Sequence, residues 1–501
     1  MNIRKKIVSW HRAIGWWALL GIVIWVVSGA CHPMMSWFGP KADKFFPPSM
    51  QLSASNLQHF PALLADGELL KNARVAKIVP SKKSPLLQIT TGEQSARDYY
   101  NLNTGEHLTG QDLEQAIWLA NYYTGRQRDA IANVVFQTEF SEEYPWVNRL
   151  LPVYKIEYSG SDGLAIFIHT ETTAMAGLTN GVKTGMQWIF QHFHTFKWLS
   201  GVEYGRLIVM ALFMLCLCAM ALLGLSLILA LKARTIKQGR RRYHRWLGYV
   251  LWLPLLMWSA SGFYHLLQAS LVEMPTGIRL GENLGKNTVV DGNNEWLQAL
   301  GERKVNSLSL VRGEQGELLY RASLASVQPS GDISRSARYG GIPAETESFY
   351  VDASTGKLVN ELTDTQQVKA LAAGYSGLPV STFSAVDKVT RFGPEYDFRN
   401  KRLPVWQVSL NDEEGSFYFI DPVTGVLVDQ SRTVDRTERW SFTYLHKWNF
   451  LTPFTGRFIR DLLIVFFLGM ILVVSVLGVS MMLRRRVRDM DAARSSVLLE
   501  P

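Results

Sequence analysis

Four stretches of this chain, about 20 residues each, are apolar enough to cross a hydrocarbon core of about 30 Å as helices rising about 1.5 Å per residue. They run from about Ala13 to Cys31, Leu207 to Leu231, Trp246 to Leu267 and Leu462 to Leu483. Inside a bilayer every backbone polar group needs a partner within its own segment, so a helix is the structure these stretches admit. The first stretch has the length and Trp content of a retained helix and lacks a small-residue cleavage site.

The charge fits the same frame. The chain carries a net +9, and its basic residues cluster beside apolar runs rather than on one soluble face, which argues against a nucleic-acid partner. The clusters are Arg4, Lys5 and Lys6, the link 232–245, and the tail with Arg484, Arg485, Arg486 and Arg488. All three fall on one side of a four-helix topology, and the positive-inside rule makes that side the cytoplasm. The layout expected is an N-terminus and first span over 1–32, an outer domain over 33–185, and a His-bearing segment with the second span over 186–231. A basic loop over 232–245 and the third span over 246–267 follow. A second outer domain over 268–440, a His-bearing segment with the fourth span over 441–483, and a tail over 484–501 complete the chain. Cys31, Cys216 and Cys218 all lie in or beside the spans, so the outer domains fold without disulfides.

The chain reads as a tandem duplication. Trp10-His11-Arg12-Ala13-Ile14-Gly15 aligns with Tyr243-His244-Arg245-Trp246-Leu247-Gly248 at an offset of 233 residues. The register continues through Trp25 with Trp258, Ser28 with Ser261, Gly29 with Gly262 and His32 with His265. Further on the offset is 252, pairing Trp188 with Trp440, Phe190 with Phe442 and His194 with His446. Within the outer segments, Asn101-x-x-Thr104-Gly105, Asp352-x-x-Thr355-Gly356 and Asp421-x-x-Thr424-Gly425 repeat a hairpin-turn pattern, Asx opening the turn and Gly at a left-handed position. A degraded copy follows Ile166-Phe167-Ile168. The outer domains are therefore expected to be α+β units with antiparallel hairpins.

Six of the ten histidines fall in matched pairs: His11 with His244, His32 with His265, His194 with His446. A histidine near a membrane span is costly unless it has a function. His11 and His32 lie 21 residues apart, close to six whole turns and a rise of about 31 Å, so they share a face and lie at opposite surfaces. Two separate sites follow, and bis-imidazole ligation of haem iron in a helix bundle is the matching chemistry. Gly29 and Gly262 would let a flat macrocycle approach the backbone. Arg12 and Arg245, which also serve the positive-inside pattern, could pair with haem propionates. Four outer histidines allow one outer haem or two. Trp25 and Trp258 lie between the two levels, as a bridge or as packing. His192 lacks a partner in the second half, and His59, His107 and His169 read as surface residues.

With these residues in place the halves resemble the PepSY-associated transmembrane family, and the outer hairpin units look like PepSY domains. The residues that carry the resemblance are Trp10-His11-Arg12-x-x-Gly15 through Ser28-Gly29-x-x-His32, their counterparts from Tyr243 to His265, and the aromatic-flanked His194 and His446. The fold implied is a pseudo-twofold bundle of four transmembrane helices with two periplasmic α+β PepSY-like domains, in a bacterial inner membrane with both termini cytoplasmic. Some members of the family look like ferric-siderophore reductases carrying haem b on paired histidines. The resemblance implies two or three haems here, held by His11, His244, His32, His265, His194 and His446, and electron transfer to iron(III) in a periplasmic siderophore or similar chelate. The short cytoplasmic segments leave no room for a nucleotide-binding domain, so the donor would be a membrane quinol or a separate protein. A non-redox PepSY regulator that binds a peptidase is the alternative. A His-based transporter is a third reading, and it would require acidic residues within the spans, where only Glu203 and Asp461 lie at the margins.

Overall fold

The computed structural model describes residues 3–65, 67–202, 204–230, 239–275, 278–285, 296–329 and 333–497. Glu203, the loop as far as 238, and residues 498–501 lie outside them. The chain divides into two compact units, one of Met1–Gly39, Val182–Met274 and Thr437–Pro501, the other of Pro40–Gly181 and Pro275–Arg436.

The first unit is built on four helices long and apolar enough to cross a membrane. They are Ile3–Phe38, Gly205–Ala230, Arg240–Leu271 and Thr452–Val497. The first has 36 residues, which at about 1.5 Å each is about 54 Å, so the helix runs well past the apolar stretch read from the sequence. The first helix packs on the second and fourth, and the third also packs on the second and fourth. The first and third therefore face each other across the bundle. Its centre is aliphatic: Ala18, Ile22, Leu217, Leu251 and Ile471 are buried together. Leu20, Val27, Leu212, Phe466 and Val473 are exposed, as expected of side chains whose solvent is lipid rather than water.

The second and fourth helices are each approached by the same local sequence of structures. A short helix, Gly181–Ile189 or Thr433–Ser441, continues into a π-helical stretch, Phe190–His194 or Phe442–His446. There the Thr195 and Lys447 amides donate five residues back, to the Phe190 and Phe442 carbonyls. A residue in the left-handed region then breaks the run, Phe196 with φ 51° and Trp448 with φ 53°. Each costs on the order of 1 kcal/mol for a side chain with a Cβ. Packing offsets it: Phe196 meets the Trp25 ring at 6.0 Å, and Trp448 stacks on Trp258 at 4.9 Å.

The second unit is all antiparallel in its sheets, with helices. A six-stranded sheet has the order Glu345–Asp352, Leu318–Ala325, Val305–Arg312, Val75–Val79, Leu86–Thr90 and Asp98–Asn101. Strands from residues 75–101 and 305–352 thus share one sheet, joined where Lys77 pairs with Ser309. Two four-stranded sheets follow chain order, one over Ile131–Gln137, Val153–Tyr158, Ala165–His169 and Ala174–Thr179. The other comprises Phe383–Val389, Val405–Leu410, Phe417–Asp421 and Val426–Ser431. The turns read from the sequence are present. Gly105, Gly356 and Gly425 have φ near +70° (75°, 67° and 69°). Asn101, Asp352 and Asp421 accept backbone N–H groups two residues on. In the degraded copy, His169 takes the Asx place, accepting from the Thr172 amide, and Thr173 has φ 50°. His169 is therefore buried, 3% exposed and 3.0 Å from Arg97, not the surface residue expected. His59 and His107 are exposed.

Strand alternation gives the six-stranded sheet two unlike faces. Ala76, Ile78, Leu87, Ile89, Tyr320 and Ala322 enter the largest apolar core. Lys77, Gln88, Ser309, Arg321 and Ser323 sit at the alternate positions and are also buried. Arg321 is fully buried and donates to both oxygens of Glu345 and of Asp364. Truncating one partner of such a cluster strands the others in a dry environment. Arg321→Ala is expected to destabilise this unit by about 3–5 kcal/mol, seen as a lower urea midpoint, with partial recovery when Glu345→Gln and Asp364→Asn are added. Burial pushes the Asp364 carboxyl up, but the Arg321 charge and its hydrogen bonds hold it well below its ordinary value. A depressed carboxyl contributes stability that is complete above the unfolded-state pKa and is lost as pH falls towards the folded one. The wild-type midpoint should therefore begin to fall only below about pH 4, and that acid dependence should weaken in the triple variant.

Candidate functional site

Four of the six matched histidines converge as two facing pairs. His11, on the first long helix, and His244, on the third, have ring centres 6.3 Å apart and planes at 76°. His194 and His446, at the ends of the two π-helical stretches, have ring centres 6.3 Å apart and planes at 81°. Two imidazoles bound to one metal at about 2.0 Å, each with its ring centre about 1.1 Å further out, would place those centres about 6.2 Å apart. Both pairs meet that spacing, and they lie at opposite ends of the bundle. Ser28, which touches His194, follows His11 by seventeen residues on one helix, a rise of about 25 Å.

The hydrogen bonds choose the ring nitrogen left free. Ser28 Oγ donates to the Ile24 carbonyl and is 3.2 Å from His194 Nδ1. With its proton committed, the hydroxyl oxygen accepts from Nδ1–H. Ser261 does the same for His446, donating to the Met257 carbonyl and standing 3.2 Å from Nδ1. His244 Nδ1 lies 3.0 Å from the Val474 carbonyl, which can only accept. In these three rings Nδ1 carries the proton, so Nε2 keeps the lone pair a metal needs. His11 Nδ1 is buried with no hydrogen-bond partner among the described residues. Trp25 and Trp258 donate their indole N–H to the His194 and His446 carbonyls at 3.1 and 2.9 Å. They anchor the histidine segments at one end, and the middle of the bundle is aliphatic.

Each of the four rings also lies against a glycine of a neighbouring helix. A Cβ on Gly29 would stand 3.6 Å from His194 Cε1, and one on Gly262 3.5 Å from His446 Cε1. Gly29 and Gly262 thus lie against the imidazole rings of His194 and His446. At the other end Gly224 faces His11 Cε1 at 4.0 Å and Gly478 faces His244 Cε1 at 3.3 Å. These two were missed in the sequence, although Leu223-Gly224-x-Ser226 and Leu477-Gly478-x-Ser480 repeat one another. Tightness predicts different tolerance. Gly478→Val should displace the His244 ring and lower occupancy of that pair, whereas Gly224→Ala, which adds an ordinary van der Waals contact, should leave it unchanged. The two variants' difference spectra check this.

His32 and His265 stand elsewhere. The His265 ring stacks on Phe442 at 4.3 Å, and Phe442 stacks in turn on His446 at 4.6 Å. Likewise Phe190 lies between His32 at 6.1 Å and His194 at 4.5 Å. A phenyl ring thus separates each of these histidines from the facing pair. His265 Nδ1 bonds Glu438 Oε1 at 2.5 Å, while the corresponding position near His32 is Met186. His192 is half-buried, stacked on Trp188 with Nδ1 3.0 Å from its carbonyl. Arg245 donates to the Ile228 carbonyl and to Tyr249 Oη, which places it at the end of the second long helix. Arg12 is exposed and lines a basic cleft with Arg4, Lys5 and Arg485.

Among the described residues no three His, Cys, Asp or Glu side chains converge. The donor sets are pairs of imidazoles, which suit an iron already held in the plane of a macrocycle and fall short of the three or four protein ligands of a zinc site. The residues present therefore fit haem at each pair. The family model described as PepSY-associated TM region matches residues 72–303, a span that includes His194, the second and third long helices, His244 and His265. No curated protein matches the chain.

Proposed function

We propose that this membrane-associated chain, which carries a PepSY-associated TM region, is a haem-containing transmembrane reductase. It would pass electrons across the inner membrane and reduce iron(III) in a periplasmic siderophore or similar chelate to iron(II), which such chelators hold far more weakly. The observation that carries the reading is the pair of facing histidine couples, each at 6.3 Å, at opposite ends of one apolar bundle. His11 with His244 would hold one haem and His194 with His446 the other, giving two per chain. Haem bound there supplies reversible one-electron transfer across a layer that ions do not cross.

The chain's own residues do the positioning. Ser28, Ser261 and the Val474 carbonyl fix the imidazole tautomer. Trp25 and Trp258 hold the backbone of the histidine segments, and the left-handed Phe196 and Trp448 turn the chain into the spanning helices. The aliphatic centre excludes water and charge between the two levels. A membrane quinol or a separate donor protein supplies electrons at the basic end, taken as cytoplasmic from the clusters at Arg4 to Lys6 and Arg484 to Arg488.

The test is a dithionite-reduced minus oxidised visible spectrum of the detergent-purified full chain, with haem quantified per chain. Sharp b-type bands at two haems per chain are expected. A colourless protein from cells well supplied with haem overturns the reading and favours the peptidase-binding regulator.

A further inference from the structure

The strand-rich unit contains a cavity of about 190 Å³ that none of the redox reasoning uses. It opens on the polar face of the six-stranded sheet, where Lys77, Ser307 and Ser323 line it, and it reaches the turns bearing Glu171 and Asp421. A cavity of about 150 Å³ holds one benzene, so this one has room for a single ring with a small polar group. One side is an aromatic wall: Phe45 meets Tyr339 at 6.0 Å, and Tyr339 meets Phe392 at 6.2 Å.

The charges lining the cavity do not balance. Its carboxylates already have partners. Glu345 is 2.7 Å from Arg321; Glu171 and Asp421 are 2.6 and 2.9 Å from Arg402. Arg338 is different. One of its nitrogens, Nη2, donates to the Leu403 carbonyl, and its guanidinium lies 5.8 Å from the Phe46 ring centre. Its Nη1 is buried with no hydrogen-bond partner, and no carboxylate pairs with it among the described residues. Arg402 Nε is likewise buried and unpartnered, on a side chain 6% exposed. Burial pushes the Arg338 guanidinium below its usual range, the sign of a cation without its counter-ion. Leaving such a charge unpaired and buried is unfavourable, and an anion that brought its own oxygens would relieve it.

We propose that this cavity binds a small carboxylate bearing one aromatic ring, its carboxylate on the Arg338 guanidinium and its ring against Phe45, Tyr339 and Phe392. The site is independent of the haem reading, and a free aromatic acid or the aromatic C-terminal residue of a peptide offers the same chemistry.

Isothermal titration of the full-length detergent-purified protein with phenylacetate tests it, with benzyl alcohol and benzylamine as the neutral and cationic analogues. Saturable binding of phenylacetate is expected, at least about tenfold tighter than the alcohol, with none for the amine. An acetylated dipeptide ending in phenylalanine, binding more tightly than phenylacetate, would identify a peptide C-terminus as the source; weaker binding would identify a free acid. Arg338→Ala should abolish binding. Because Arg338 also holds the Leu403 carbonyl, Ala174→Leu serves as the second variant; it fills the cavity from a half-buried lining position, and it too should abolish binding with the urea midpoint unchanged. No saturable heat below about 10 mM, benzylamine binding as tightly as phenylacetate, or binding that survives Ala174→Leu would each overturn the proposal.

Discussion

His11→Ala and His244→Ala are each expected to remove one haem per chain and leave the other in place. The two rings form one couple at 6.3 Å, and a haem that both would hold would lose half of its protein attachment when either ring goes. The difference spectrum should halve in both variants, with the remaining bands unaltered in position. Among the described residues His11 Nδ1 has no hydrogen-bond partner, whereas His244 Nδ1 is fixed by the Val474 carbonyl. Of the two, His11 is the less constrained ring. An imidazole supplied in solution should therefore refill the His11→Ala variant more readily, because His244 still holds its orientation. Full haem content in both variants would reject this couple as ligands.

At the other end of the bundle, His194→Ala and His446→Ala should each remove the second haem, while His32→Ala and His265→Ala keep both. The geometry separates the four. Only His194 and His446 face each other at ligating distance with Nδ1 held by a serine. Phe190 and Phe442 stand between that couple and the remaining two histidines. Replacing Ser28 or Ser261 by alanine should show the positioning role by itself. The haem would remain, but its reduction potential would move, because a hydrogen bond to Nδ1 raises the basicity of the ligating nitrogen. Haem analysis of the four histidine variants decides the pairing, and loss of a haem in His32→Ala or His265→Ala would show the assignment to be wrong.

Much of this arrangement is legible in the chain. The apolar stretches specify helices because hydrocarbon leaves the backbone no other partner. The turns at Gly105, Gly356 and Gly425 are legible because Asx followed by a left-handed Gly encodes a local hydrogen-bonding pattern. The six matched histidines emerge from comparing the chain with itself. Local signals fail where distant strands meet. His169 and Arg321 look like ordinary polar residues, and only the pairing of Lys77 with Ser309 across 232 residues of chain turns that sheet face into a buried one.

The sequence by itself determined the four helices, the two levels of histidine and the hairpin turns, since each follows from spacing along one segment. Only the tertiary structure decided which of His32, His265, His194 and His446 face each other. Helical rise sets the height of a side chain on its own axis, but facing depends on rotation, and a π-helical stretch rotates everything after it by one extra residue. The stretches Phe190–His194 and Phe442–His446 bring His194 and His446 together and leave His32 and His265 behind phenyl rings, a choice that no count of residues between histidines contains.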